Sequence, residues 1–232
     1  MNSPTTHSAA ASAAATAAAV EAARYALLRR LAFAIRHDMM AHLQPITMAG
    51  EVLERRLRAP EPKLDDVREG AVRITGFSRT AVRSCLDVIA WLAPDPSQVV
   101  SVREAVAETV DLLSSSFGFR GVALRNEVED GPWCVARTGL RHLLPACLLL
   151  LSDDAGPPAE IHLRAQPGDD ATVRVLLELE PADGPEGDMG EPPYRPLRQD
   201  EVEAMARAEG IAFSREGDTI VLRVAEVRER SA

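Results

Sequence analysis

The sequence contains few asparagine, lysine, cysteine and aromatic residues, and it has no long apolar run. Only two asparagines, Asn2 and Asn126, and a single lysine, Lys63, occur in its 232 residues. The three cysteines lie far apart, without the paired spacing of a zinc site, which favours free thiols in a reducing compartment. No run reaches the roughly 18 apolar residues that span a bilayer, and the alanine-rich start lacks the basic flank of a signal peptide. These absences predict a cytoplasmic protein without a membrane segment.

The charge balance argues against a nucleic-acid partner. The formal net charge is -9 at pH 7, and aromatic residues make up only 4% of the chain. Proteins that bind nucleic acid present clustered lysine and arginine to the phosphate backbone, and no such cluster interleaved with aromatics occurs here. The hydrophobic content of 46% is enough for a buried core and predicts one to two domains.

The first part of the chain has a helical apolar period. Residues 1–15 are rich in alanine, serine and threonine and are predicted to be a disordered lead-in. A helix is predicted from about residue 16 to 58, and the prolines of residues 59–62 predict a turn. A second helix is predicted over 64–92, so that residues 16–93 form an antiparallel hairpin. Its apolar seam has a period near 3.5 and comprises Val67, Ala71, Ile74, Ser78, Ala81, Cys85, Val88 and Leu92.

Each helix of this hairpin carries an apolar stripe that one neighbouring helix cannot cover completely. Such stripes are usually buried against further helices. We therefore expect a homodimer in which two hairpins pair into a four-helix bundle.

The second part, residues 97–227, mixes strand and helix patterns. Strands are predicted at 98–101, 122–128, 133–135, 160–165, 172–180, 212–215 and 219–224, and helices at 102–117, 140–152 and 198–208. The order predicts a mixed sheet with helices on one face, so the whole chain is expected to have an α+β fold.

A histidine in the first helix is the strongest candidate for a reactive group. At about 100° per residue, His37 points away from the apolar stripe, so it is predicted to be exposed to solvent. Asp38 follows it directly. The stripe itself is formed by Leu28, Leu31, Ile35, Met39, Leu43, Ile46, Gly50, Leu53 and Leu57.

These residues resemble the phosphoacceptor motif of histidine kinases, and more closely that of the dimeric histidine phosphotransferases. The chain matches that family's pattern at His37 with Asp38, and at Ile46, Glu51 and Leu53. It differs five residues after the histidine, where His42 replaces the family's proline. We expect His42 to be a half-buried packing residue. The resemblance implies a hairpin followed by an α/β sandwich like a degenerate histidine-kinase ATP-binding domain.

The same resemblance indicates that the nucleotide site is degenerate. The kinase domain holds magnesium and phosphates through an asparagine on its second helix and through glycine-rich turns. Residues 140–151 contain no asparagine, and residues 181–187 have Pro185 where the turn requires closely spaced glycines. The segment from Asp188 to Pro196 is acidic and proline-rich, which would repel a triphosphate. We therefore expect that this chain binds no cofactor.

The implied activity is phosphoryl relay in a bacterial two-component system. His37 would accept the phosphoryl group on Nε2, since an unperturbed imidazole, with a pKa of about 6.5, is nucleophilic at neutral pH. Asp38 would orient or activate the ring. Mg²⁺ would come from the receiver domain of a response regulator, and the upstream donor would be a hybrid histidine kinase. Receiver binding is predicted to involve residues on the same helix, namely Arg36, Met40, Gln44, Thr47 and Met48.

Two other functions remain open at the level of sequence. The chain could be an authentic histidine kinase with a divergent nucleotide site, which measurable ATP affinity would support. It could instead be a non-catalytic protein that binds receivers or a kinase, in which case binding would survive His37→Ala. Ala41 lies where phosphatase-competent kinases carry a hydroxyl or amide, so little phosphatase activity is expected.

Overall fold

A computed structural model describes residues 4–92, 95, 97–184, 187 and 194–227, which form two compact units. Unit 2 comprises residues 33–94, and unit 1 comprises residues 1–32 together with 95–232. The elements in chain order are α1 (Pro4–Leu57), α2 (Leu64–Leu92), β1 (Val99–Ser101), α3 (Val102–Phe119), β2 (Val122–Asn126), β3 (Cys134–Ala136), α4 (Arg137–Asp154), β4 (Ala159–Pro167), β5 (Thr172–Pro181), α5 (Gln199–Ala208), β6 (Ala212–Glu216) and β7 (Thr219–Ala225).

Helix α1 is longer than the sequence predicted. It begins at Pro4, whereas residues 1–15 were expected to be disordered. Alanine has the highest helix propensity and proline fits the first helical turn, so the alanine-rich segment extends the helix. The domain boundary also differs from the predicted one, because residues up to Ala32 group with unit 1 and the hairpin unit begins at Phe33.

Unit 2 is an antiparallel hairpin made from the second half of α1 and from α2. The two helices approach closely at Gly70, where an added Cβ would lie 3.0 Å from Leu53 Cδ1. The predicted hairpin and the bounds of α2 agree with the structure. The predicted prolines at 94 and 96 that end this region lie outside the described residues.

Six of the eight residues in the predicted seam of α2 are buried or half-buried, and only Ala71 and Leu92 are exposed. The six covered residues are Val67, Ile74, Ser78, Ala81, Cys85 and Val88. A further covered row, which the sequence pattern did not predict, runs at intervals of seven residues through Gly70, Phe77, Ser84 and Trp91. Glycine and serine do not register as apolar in a sequence pattern, so this row was missed.

Unit 1 is built on a mixed five-stranded sheet of order β2-β4-β5-β7-β6. Strands β2 and β4 are parallel, while the other neighbours are antiparallel; β1 and β3 form a separate antiparallel pair. The tight turn from α3 into β2 depends on Gly121, whose φ of +75° is accessible to glycine at no steric cost. Every strand and helix predicted after residue 97 is present, with ends shifted by up to three residues.

One face of this sheet is apolar and the other is charged. Ile161, Leu163, Val175 and Leu177 are fully buried, and α3 and α4 contribute the facing core residues Phe117, Leu144 and Leu148. The opposite face carries alternating charges, including the pairs Arg125–Glu160 and Arg164–Glu178. This arrangement confirms a mixed sheet with its helices on one face.

The first half of α1 contributes to the core of unit 1. Its inward stripe of Val20, Ala23, Ala26, Leu27 and Leu31 is buried. Arg24 pairs with Glu209 at the end of α5, and Arg30 pairs with Asp153 in the last turn of α4. The ion pairs fix this stretch of α1 beside the ends of both helices. Among the described residues, no helix has the length and apolar character needed to cross a membrane.

Candidate functional site

His37 lies on the exposed side of α1 in unit 2. Its side chain is solvent-exposed, as the sequence predicted, and it makes no hydrogen bond or ion pair with any residue that the structure describes. The neighbouring Arg36 is also exposed and places its guanidinium 5.6 Å from the ring centroid of Phe33. The imidazole is therefore free to meet a reactant from solution.

Asp38 faces the other helix of the hairpin. The hydroxyl of Ser84 on α2 donates to Asp38 Oδ2 at 3.0 Å, and His42 Nε2 lies 3.6 Å from Asp38 Oδ1. Adjacent residues of a helix diverge by about 100°, so the carboxylate that reaches α2 does not contact His37. Asp38 was expected to orient or activate the ring of His37, and in this structure it makes no hydrogen bond to that ring. His42 is half-buried, as expected for a packing residue.

The residues predicted to bind a receiver share a face with His37. Arg36, Met40, Gln44 and Met48 follow one another at intervals of four residues, and Thr47 lies three residues after Gln44, which places all five on one side of the helix. All five are exposed, and the apolar Met40 and Met48 expose 53% and 59% of their surface. The hairpin thus presents a charge-poor surface next to the candidate nucleophile, formed by Arg36, Met40, Gln44, Thr47 and Met48.

This surface continues into a groove between α1 and α2 that the sequence analysis missed. The groove has a volume of about 250 Å³ and is lined by Pro45, Met48, Ala49, Val52, Arg56, Gly70, Arg73 and Phe77. Gly70, where the two helices approach closely, is one of its lining residues. In the sequence, the only sign of this groove was a glycine, Gly70, seven residues before Phe77 on the same side of α2.

In unit 1, α4 contains residues 140–151, in which the sequence lacks the asparagine that holds magnesium in the kinase domain. Every residue from Gly139 to Ser152 is buried, so this stretch has no face open to solvent. A magnesium–nucleotide complex requires exposed oxygen or amide ligands, and α4 offers none along that length. The residues present here therefore do not fit a nucleotide. The predicted interruption at Pro185 and most of the acidic segment from Asp188 to Pro196 lie outside the described residues.

His142 and His162 of unit 1 have structural surroundings. His142 is buried within α4, and His162 lies on the charged face of the sheet with Nδ1 at 2.5 Å from Glu127 Oε1. Hydrogen bonds from His162 and Arg164 lower the pKa of the Glu127 carboxyl. Among the described residues, no group of three or more metal-binding side chains is placed to hold an ion.

Comparison with known proteins finds similarity only among solved structures. No protein family matches the sequence, and no curated protein sequence matches it. The nucleotide-free catalytic domain of histidine kinase ThkA is 14% identical, covering 57% of this chain and 98% of that one, with a TM-score of 0.43. The Acinetobacter baumannii histidine kinase AdeS is 12% identical over 78% of this chain and 96% of its own, also with a TM-score of 0.43.

A third solved structure contains histidine kinase ThkA in complex with the response regulator protein TrrA. It is 15% identical, covers 89% of this chain and 64% of that chain, and has a TM-score of 0.43. The chain is thus similar to histidine kinases, both to an isolated catalytic domain and to longer proteins.

Proposed function

We propose that this chain is a histidine phosphotransfer protein that relays a phosphoryl group between receiver-domain aspartates through His37. The observation that carries the proposal is the exposed, unbonded imidazole of His37 on a helical hairpin, next to a charge-poor surface. A partner protein can bind that surface and present a phosphoryl group to the ring at the same time. The proposed partners are response-regulator receiver domains and an upstream hybrid histidine kinase.

The transfer step requires only one group from this chain. The lone pair of His37 Nε2 attacks the phosphorus of a receiver aspartyl phosphate as the bond from the aspartate oxygen to phosphorus breaks. The electron pair of that bond returns to the aspartate, which becomes a carboxylate. Transfer to the next receiver is the reverse reaction with another aspartate. Mg²⁺ held by the acidic pocket of the receiver would neutralise the transferring oxygens, and Arg36 is placed one residue away to assist.

A phosphoprotein is favoured over ATP as the donor because every residue of α4 from Gly139 to Ser152 is buried. The helix also lacks asparagine. Direct phosphorylation by ATP would require another residue to supply the missing ligand.

The proposed assembly is a homodimer of hairpins. On α2, Val82, Leu86 and Ile89 are exposed and lie on one side of the helix, while Leu43 and Leu57 are exposed on α1. Val82 and Ile89 are seven residues apart, which is the repeat of a helix that packs against a parallel or antiparallel partner. A second copy of the same hairpin offers a matching repeat, so a four-helix bundle would cover these side chains.

The test is a labelling experiment with radioactive phosphate. The purified protein is incubated with ATP alone and, separately, with a panel of phosphorylated receiver domains, and acid-labile label is followed on wild type and on His37→Ala. His42→Ala is the matched control, because His42 lies on the same helix but pairs with Asp38. We expect label from a receiver on wild type and on the control, and none on His37→Ala. Label taken directly from ATP would identify a kinase, and receiver binding without any label would identify a non-catalytic binding protein.

A further inference from the structure

Ser84 is a buried hydroxyl residue of α2 that bonds outside its own helix. It is only 8% exposed, and it is the one polar residue among the buried positions of α2. Hydroxyls in helices commonly bond to the carbonyl four residues earlier, as Thr75 does to Ala71 and Thr80 to Gly76. Ser84 instead donates across the hairpin to Asp38 Oδ2 at 3.0 Å.

This hydrogen bond occurs at the level of the candidate phosphoacceptor. Asp38 is the residue after His37, and its second oxygen lies 3.6 Å from His42 Nε2. Both oxygens of the carboxylate thus have a neighbour other than His37. The Asp38 side chain is still 42% exposed, so its charge is not isolated from the solvent around His37.

We propose that Ser84 is a positioning residue for phosphotransfer at His37, acting through Asp38. The inference rests on the proposed function and names the part of α2 that serves it. By donating to Asp38, Ser84 holds the carboxylate on the hairpin side of α1, where it does not occupy a ring nitrogen of His37. The imidazole stays free for the phosphoryl donor, and a negative charge stays at a fixed place one residue away.

That charge matters during the transfer step. When Nε2 forms its bond to phosphorus, Nδ1 still carries its proton, so the ring becomes positively charged as the aspartate leaving group departs. A fixed carboxylate nearby stabilises this developing charge without reorganising during the step. A hydrogen bond from Ser84 to the charged carboxylate keeps it in that orientation. Losing one such hydrogen bond is expected to slow the step by about fivefold to tenfold.

The experiment measures single-turnover transfer from a phosphorylated receiver to Ser84→Ala, Asp38→Asn and the double variant. Both the rate at saturating donor and the donor concentration at half-saturation are determined, and rates are normalised to the amount of protein that can be labelled. Thr80→Ala is the matched control, because the Thr80 hydroxyl bonds within its own helix. Ser84→Thr tests whether restoring a hydroxyl restores the rate.

We expect Ser84→Ala to lower the rate at saturating donor about fivefold to tenfold and to leave the donor concentration at half-saturation unchanged. Ser84→Thr should recover most of the lost rate. In the Asp38→Asn background, Ser84→Ala should have no further effect, because the two residues act as one unit. A wild-type rate in Ser84→Ala, or effects that multiply in the double variant, would overturn the inference while leaving His37 as the acceptor. A wild-type protein that accepts no label from any receiver would overturn the proposed function and this inference with it.

Discussion

Arg30 and Asp153 form a bidentate ion pair inside unit 1. Arg30 Nη1 donates to Asp153 Oδ2 at 2.7 Å, and Nη2 donates to Oδ1 at 2.7 Å. The Arg30 side chain is only 2% exposed, and Arg120 adds a further contact to Asp153 at 2.8 Å. One carboxylate at the end of α4 therefore joins α1 to the end of α3.

Replacing Asp153 with alanine is expected to destabilise unit 1 strongly. The change leaves the buried Arg30 guanidinium without its counter-charge, and removing one partner of a buried pair costs about 3–5 kcal/mol. Urea denaturation followed by circular dichroism measures the loss in the free energy of unfolding. Arg58→Ala is the control, since Arg58 forms an exposed pair with Glu54 that should contribute almost nothing. Equal stability of Asp153→Ala and wild type would contradict the burial of the Arg30–Asp153 ion pair.

The Arg195–Glu201 pair is expected to make stability depend on pH. Hydrogen bonds from Arg195 lower the pKa of the Glu201 carboxyl below its ordinary value of 4.5. A lowered pKa in the folded state stabilises the protein above pH 4.5, and the contribution disappears as the pH falls through the folded-state pKa. Glu201→Gln should therefore be less stable than wild type at pH 7 and similar to it in strong acid. Thermal unfolding of both proteins between pH 7 and pH 3 measures this, and a constant difference would contradict it.

Met48→Glu is expected to weaken binding of a phosphorylated receiver without altering the chemistry. Met48 is exposed on the His37 face and also lines the groove, so a charge there would lose its hydration on docking. The receiver concentration at half-saturation should rise about tenfold, and the maximal rate should stay within about twofold of wild type. Leu64→Glu is the control, because Leu64 is an exposed apolar residue outside the groove. A similar loss of receiver affinity in both variants would show that surface charge, not this site, determines binding.

Leu86→Glu is expected to dissociate the proposed homodimer. Leu86 is 60% exposed in the single chain and lies in the apolar row that a second hairpin would cover. Two unpaired carboxylates at that interface should weaken association by at least about tenfold. Sedimentation analysis of Leu86→Glu and of Asp87→Lys, which changes the charge of an adjacent residue off this row, measures the effect. A monomeric wild-type protein would exclude the dimer outright.

The sequence predicted most of the fold because its elements have strong local signals. The apolar alternation of β4 and β5 and the helical period of α2 placed these elements correctly. The length of α1 was underestimated because an alanine-rich segment has no apolar period, although its helix propensity is high. The assignment of residues up to Ala32 to unit 1 depends on contacts with Asp153 and Glu209, which no local pattern contains.

For the candidate site, the sequence predicted the exposure of His37 but not the placement of Asp38. Helical periodicity determines which residues face away from the stripe, and His37 is one of them. Whether Asp38 bonds to His37 or to the other helix depends on Ser84, which is 46 residues later in the chain. The groove was missed for a similar reason, since it requires Gly70 and Val52 from different helices to meet.

The contact between Arg24 and Glu209 also determines the order in which the protein can form during synthesis. These residues are 185 positions apart, so the part of α1 that completes unit 1 emerges from the ribosome long before its partner. The hairpin, whose contacts are closer in sequence, can form first, since proteins rich in local contacts fold faster. The Val20–Leu31 stripe must meanwhile remain exposed, and transiently exposed apolar surface of this kind is where chaperones bind and aggregation begins. We therefore expect the yield of folded protein to depend more on late translation and on chaperone supply than on the stability of the finished fold.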